Sequence, residues 1–240
     1  MEACPDGRRE HVMRDDTRRL ARRLLWEQLE GLPPGTRTSV ERLAESCPSI
    51  TYSEVCGYQI AGREYLEDEL DIDELETDLW DMADERGLYV DGLGFGSFVL
   101  RRRVEQGAPL DASHIERLRM AVYQFCGDGA MNLELSDGWV RLMRARASQS
   151  LIRPVDGAVV AAIDRGLREG GVSTWRRRYE PECDVLDGTS WELAIVLDDG
   201  RALDSCGSNA WPAGYDDFER ALLGIFDREA SPACDGEATP

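Results

Sequence analysis

Asp187 to Pro212 reads DGTSWELAIVLDDGRALDSCGSNAWP, and its pattern decides the fold. Trp191, Leu193, Ile195 and Leu197 alternate with Glu192, Ala194 and Val196. That alternation is the period of a strand with one buried face. Asp198-Asp199-Gly200 separates it from Arg201-Ala202-Leu203. A two-residue loop would set Asp204 opposite Ile195, whereas a three-residue loop sets Leu203 there, on the same apolar face. The last position of such a loop favours left-handed backbone, which Gly200 supplies. The spacing predicts the three-residue loop.

Working back from this hairpin, Asp137-Gly138 lies between Leu133-Glu134-Leu135 and Val140-Arg141-Leu142. A type I′ turn there pairs 135 with 140 and 133 with 142, all apolar and on one face. Residues 117–125 (RLRMAVYQF) are read as a further strand. Pro154 is expected to open a helix to about Gly170, with Val155, Val159, Ala162, Ile163 and Leu167 inward. Asp216 is expected to cap a last helix whose inner side chains are Phe218, Leu222, Ile225 and Phe226. The order predicts an α+β domain over 108–230, with a mainly antiparallel sheet of about five strands and packed helices. A frayed tail, 231–240, follows.

Before this domain the sequence predicts a smaller, mostly helical and acidic region, 14–107, after a loose tail, 1–13. Leu20, Leu24, Leu25 and Leu29 recur at helical spacing between Asp15 and Glu30, with Arg14, Arg18, Arg19, Arg22 and Arg23 on the other face. Thr38 or Ser39 caps a short helix that ends at Cys47-Pro48. Thr51 to Ile60 carries no decisive pattern. Residues 64–85, EYLEDELDIDELETDLWDMADE, hold 12 acidic residues and no basic one. Leu75, Leu79, Met82 and Ala83 are spaced for an amphipathic helix from about Asp73 to Arg86, stopped by Gly87. Leu88–Val90 and Ser97–Arg101 read as strands about the turn GLGFG. Its Gly92, Gly94 and Gly96 lack the spacing and following helix of a dinucleotide fingerprint.

The C-terminal segment Ser205-Cys206-Gly207-Ser208-Asn209-Ala210-Trp211-Pro212 follows a Trp-led strand and a D-G turn. Over about residues 150–228 this order resembles a family of uncharacterised bacterial cytoplasmic proteins with the pattern S-G-S-N-A-x-P before a final helix. Cys206 interrupts the Ser-Gly step of that pattern. The resemblance implies a fold and carries no assigned activity.

Charge narrows the function. The chain has 240 residues, with 47 Asp plus Glu against 28 basic residues, for a net charge of −19. Such a field repels phosphate backbones and anionic lipid, so neither a nucleic-acid partner nor a membrane is expected. It attracts a basic protein. No apolar run approaches the length of a membrane span, and Met1 to Met13 lacks an apolar signal core, so a cytoplasmic location is expected. Every basic residue is Arg, which removes Schiff-base and P-loop lysines. Two histidines, His11 and His114, and seven dispersed cysteines without a C-x-x-C pair give no metal-site pattern. No cofactor or metal is expected.

Three readings remain. The leading one is a non-enzymatic protein-binding module, of inhibitor or immunity type, that meets a basic partner through Glu67, Asp68, Asp71 and Glu74. Like charges at i and i+4 destabilise a helix, and pairing of the acidic helix with the Arg-rich helix at 14–23 would offset that cost. The second reading is a small-ligand binder or enzyme using a cleft near Trp191 and Asn209, with Ser208, Trp211 and Arg176 as contacts. Small residues after a strand can form an anion nest there, although Asn209 also suits a plain structural turn. Asp111, Ser113 and His114 raise the thought of a Ser–His–Asp set, but no G-x-S-x-G accompanies them. The third reading is a self-assembling structural module.

Overall fold

The computed structural model describes residues 6–53, 57–60, 72–94, 97–124, 129–145, 147, 149–181 and 188–227. The chain divides into two compact units, Met1–Arg102 and Arg103–Pro240. The first holds α1 (Asp6–Glu30), β1 (Arg37–Ser39), α2 (Val40–Ser46), β2 (Ile50–Ser53), β3 (Gly57–Ile60), α3 (Ile72–Glu85), β4 (Leu88–Gly94) and β5 (Ser97–Arg102). Strands β1, β5 and β4 form one antiparallel sheet, in that order, and β2 pairs with β3. Ser39 caps α2 by accepting from the Arg42 N–H. Leu25 and Trp26 of α1, Leu43 of α2, Leu79 and Ala83 of α3 and Phe98 of β5 share one core.

The helices of this unit outweigh its strands, and the expectation lacked β2 and β3, in a stretch with no decisive pattern. One expectation for this region is corrected. Helix α1 begins at Asp6, not Asp15, so residues 6–13 are not a loose tail. Once a helix is nucleated by its packed part, polar helix formers such as Arg8, Arg9 and Glu10 extend it without apolar periodicity.

The second unit holds β6 (Ile115–Gln124), β7 (Met131–Ser136), β8 (Trp139–Arg144), β9 (Leu151–Pro154), α4 (Gly157–Glu169), β10 (Arg178–Tyr179), β11 (Thr189–Leu197), β12 (Ala202–Ser208) and α5 (Tyr215–Asp227). Its sheet runs β10-β12-β11-β6-β7-β8-β9. Among the described strands of this sheet only β10, beside β12, is parallel to its neighbour. The hairpin that set the prediction has Ile195 opposite Leu203, with the Leu197 N–H donating to Arg201 O at 2.8 Å and Gly200 at φ +84. Leu135 pairs with Val140 and Leu133 with Leu142, and Asp137 and Gly138 take φ of +52 and +78, as a type I′ turn requires.

The expected sheet of about five strands has seven. The two additions, β9 and β10, are short and lack alternation, so the neighbouring ladder recruits them rather than their own pattern. Pro154 ends β9 and does not open the helix; Asp156 caps α4, accepting from the Val159 N–H at 2.8 Å. Asp216 does not cap α5, which begins at Tyr215. It sits in the first turn, where a carboxylate suits the helix dipole. Residues 103–107 belong with this unit: the Val104 N–H donates to Ala202 O and the Gly107 N–H to Ser173 O. The expected tail at 231–240 lies outside the described residues. No helix among the described residues is long and apolar enough to cross a membrane.

Helices α4 and α5 cover one face of the sheet. Leu118, Met120, Leu133, Leu142, Trp191, Leu193 and Ile195 meet Ile163, Leu167, Phe218 and Leu222 there. Trp191 has no exposed surface, and its partner across the ladder is Gly207. A methyl group on Gly207 would fall 2.5 Å from Ala210 O and 2.5 Å from Trp191 Nε1. Gly207→Ala is therefore expected to lower stability by about 2–3 kcal/mol. Gly224→Ala, where the added carbon meets open space on α5, should raise stability by about 0.5–1 kcal/mol. Urea unfolding curves for the two variants check both signs.

Candidate functional site

The acidic run builds α3 in two parts. Leu75, Leu79, Met82 and Ala83 are buried and hold the helix to the first unit's core. Beside this stripe, Glu74 and Asp78 turn toward α1. Arg18 grips Asp78 with two bonds, Nε–Oδ2 at 2.6 Å and Nη2–Oδ1 at 3.0 Å, and donates Nη1 to Glu74 Oε2 at 2.8 Å. Arg22 lies 3.8 Å from Asp78 Oδ1. Glu74 and Asp78 are like charges at i and i+4, and one guanidinium placed between them offsets their repulsion. Pairing of the acidic helix with the Arg-rich helix is thus present on this flank.

The rest of α3 faces elsewhere. Trp80 lies about 200° around the helix from Asp78, and 45% of it is exposed. Thr77, Trp80, Asp81 and Asp84 stand at i, i+3, i+4 and i+7, so they form one outward stripe. Thr77 and Asp81 are exposed and Asp84 is half-buried. Of the four carboxylates expected to meet a partner, Glu67, Asp68 and Asp71 lie outside the described residues. Glu74 is held by Arg18. The outward surface therefore centres on Trp80, and its signal is present in the sequence: position 80 breaks the apolar spacing of Leu75, Leu79, Met82 and Ala83.

The residues of the expected cleft are brought near one another, and Asn209, Trp191 and the Arg176 carbonyl are engaged in hydrogen bonds within the fold. Asn209 sits at φ +50. Its N–H donates to Thr189 O, and its Oδ1 accepts from the Thr189 N–H, both at 2.9 Å. Trp191 is buried and donates Nε1–H to Ala210 O at 2.8 Å. Trp175 is buried too, and its Nε1–H donates to Gly170 O. The Arg176 guanidinium lies 4.8 Å over the Tyr179 ring, and its carbonyl accepts from Ser205 Oγ. Ser208 and Trp211 are exposed at the end of β12, and the Trp211 ring centroid is 6.4 Å from that of Tyr215. Burial, with Asp216 nearby, pushes the Glu219 carboxyl above its ordinary range.

Asp111, Ser113 and His114, before β6, do not form a relay. Ser113 Oγ donates to Asp111 Oδ1 at 2.6 Å, while His114 Nδ1 lies 2.8 Å from Asp198 Oδ2. The hydroxyl is bound by a carboxylate and not by the imidazole. Cys47 and Cys206 are free thiols, and the described residues contain no group of three His, Cys, Asp or Glu side chains able to hold a metal. Neither family models nor curated proteins show a match to this chain.

Two measurements follow. Arg18→Ala leaves Asp78, whose side chain is 10% exposed, without its main partner. The cost should be about 1–2 kcal/mol, below that of a fully buried pair because Arg18 is itself partly exposed. A double-mutant cycle with Asp78→Ala should recover most of this as coupling. The hydrogen bond and charge of Asp198 raise the His114 pKa above 6.5, assisted by Asp111 and Asp199. This ion pair is complete below the ordinary histidine value and is lost as the pH rises through the raised one. An NMR titration of the ring should show the raised value in the wild type and a lower one in Asp198→Asn.

Proposed function

We propose that this protein is a binding module that docks a basic protein through the outward stripe of α3. The observation that carries this reading is Trp80, half-exposed on a helix whose apolar stripe is already buried elsewhere, with Asp81 and Asp84 beside it on one side of the helix. Tryptophan is the side chain most enriched at the energetic centres of protein interfaces. Surrounding carboxylates speed the approach of a cationic surface and fix its register. An inhibitor or immunity-type protein acting in the cytoplasm is the form of module that suits a surface of this charge.

The division of α3 supports the same reading. Arg18 pairs with Glu74 and Asp78 on the flank beside α1, and Asp81 stands exposed next to Trp80 on the outward stripe. The cleft reading has less to support it, because Trp191 is buried and Asn209 is engaged with Thr189 on both its backbone and its side chain.

Affinity capture at low and high salt tests the proposal. The wild type is expected to retain a basic protein in stoichiometric amount and to release it as salt rises. Trp80→Ala should weaken that complex by about 2 kcal/mol or roughly 30-fold. The paired change Asp81→Asn and Asp84→Asn should slow association and flatten its salt dependence. A complex indifferent to both variants, with their unfolding curves unchanged, overturns the reading.

A further inference from the structure

We infer that the outer face of β7, β8 and β9 is a self-complementary surface on which a second copy of this chain packs, sheet against sheet. Helices α4 and α5 cover the opposite face. On the outer face the ladders place Arg119, Glu134, Arg141 and Ile152 in one row across four adjacent strands. Trp139 and Met143 flank Arg141 along β8. Trp139 is 51%, Met143 47% and Ile152 52% exposed, so three large apolar side chains surround a row of alternating charge.

The occupant follows from that charge order. The chain carries −19, so two copies repel unless they meet through a surface that is not acidic. The row reads plus, minus, plus from Arg119 to Arg141. A two-fold axis running along the strands between β7 and β8 sets Glu134 of each copy against Arg141 of the other. The same axis lays the Arg119 stem over Ile152 of the second copy, Trp139 over Ser136 and Met143 over Asn132. Aligned packing of two sheets allows this, with the two faces about 10 Å apart. An isologous contact of this kind closes on itself as a dimer.

Edge-to-edge pairing is weakened at β9. The Val155 N–H donates inward to Gly138 O, so strand alternation turns residues 152 and 154 toward the free edge. Ile152 keeps its N–H, but Pro154 has none to give, and a proline so placed blunts an edge strand.

The test is the mass of the full chain in solution, by light scattering and sedimentation over a wide concentration range. The wild type should pass from monomer to dimer as concentration rises. Trp139→Asp and Arg141→Glu should each raise the dissociation constant at least tenfold, with unfolding curves confirming that both variants fold. The exchange Glu134→Arg with Arg141→Glu restores the facing pairs and should restore the dimer. A wild type that stays monomeric at the highest concentration, or a dimer insensitive to Trp139→Asp, overturns the proposal. So does a charge exchange that fails to rescue the Arg141→Glu variant. The surface is separate from α3, so these outcomes are independent of whether Trp80 binds a basic partner.

Discussion

A whole indole fits into β11 at Trp191 only because the residue opposite it on β12, Gly207, has no side chain. Burying a ring of that size contributes on the order of 5 kcal/mol. The ring lies edge-on to Trp175, with centroids 5.7 Å apart, and 5.2 Å from Tyr215. Its N–H binds Ala210, which directs the chain past the end of β12. Asn209 turns left-handed to let that happen and ties itself back to Thr189. Tyr215 and Phe218 then open α5 over the same cluster. The seat of one tryptophan therefore sets where the sheet ends, how the chain leaves it and where the last helix begins.

The electrostatics follow from a cation set that is arginine alone. A guanidinium can hold two acceptors in fixed directions, which an ammonium cannot do as well. Arg18 joins Glu74 to Asp78. Arg101 meets Asp91 at 2.7 Å within β4 and β5, and both side chains are largely buried. Asp204 accepts from Arg103 and from Arg177. Each of these removes acidic charge from places where the fold must be dense. On α3, by contrast, Asp81 is exposed beside the exposed Trp80.

Much of the fold was legible from short-range pattern. The alternation in Trp191–Leu197 and the glycine at 200 were enough to choose the loop length and hence the register. Asp137-Gly138 did the same for β7 and β8. The apolar spacing of Leu75, Leu79, Met82 and Ala83 located the buried stripe of α3. Strands β9 and β10 were not legible, because four and two residues without alternation have no pattern of their own. The helix starts at 157 and 215 were displaced for a related reason. A proline or an aspartate marks a boundary region, but which residue bonds the first free N–H depends on the strand or turn that precedes it.

The candidate site divides in the same way. The sequence determined that α3 is acidic, that an arginine-rich helix could pair with it and that Trp80 stands off the apolar stripe, since each is a matter of residue type and helical period. Only the tertiary structure decided which carboxylates Arg18 takes, because that depends on how α1 lies against α3. It also decided where the hydrogen bonds of Asn209 and Trp191 go, to Thr189 and to Ala210. Small polar residues after a strand look alike in sequence whether their hydrogen bonds go to a ligand or to the neighbouring strand. The partner of a hydrogen bond is fixed by long-range packing, which residue order alone does not encode locally.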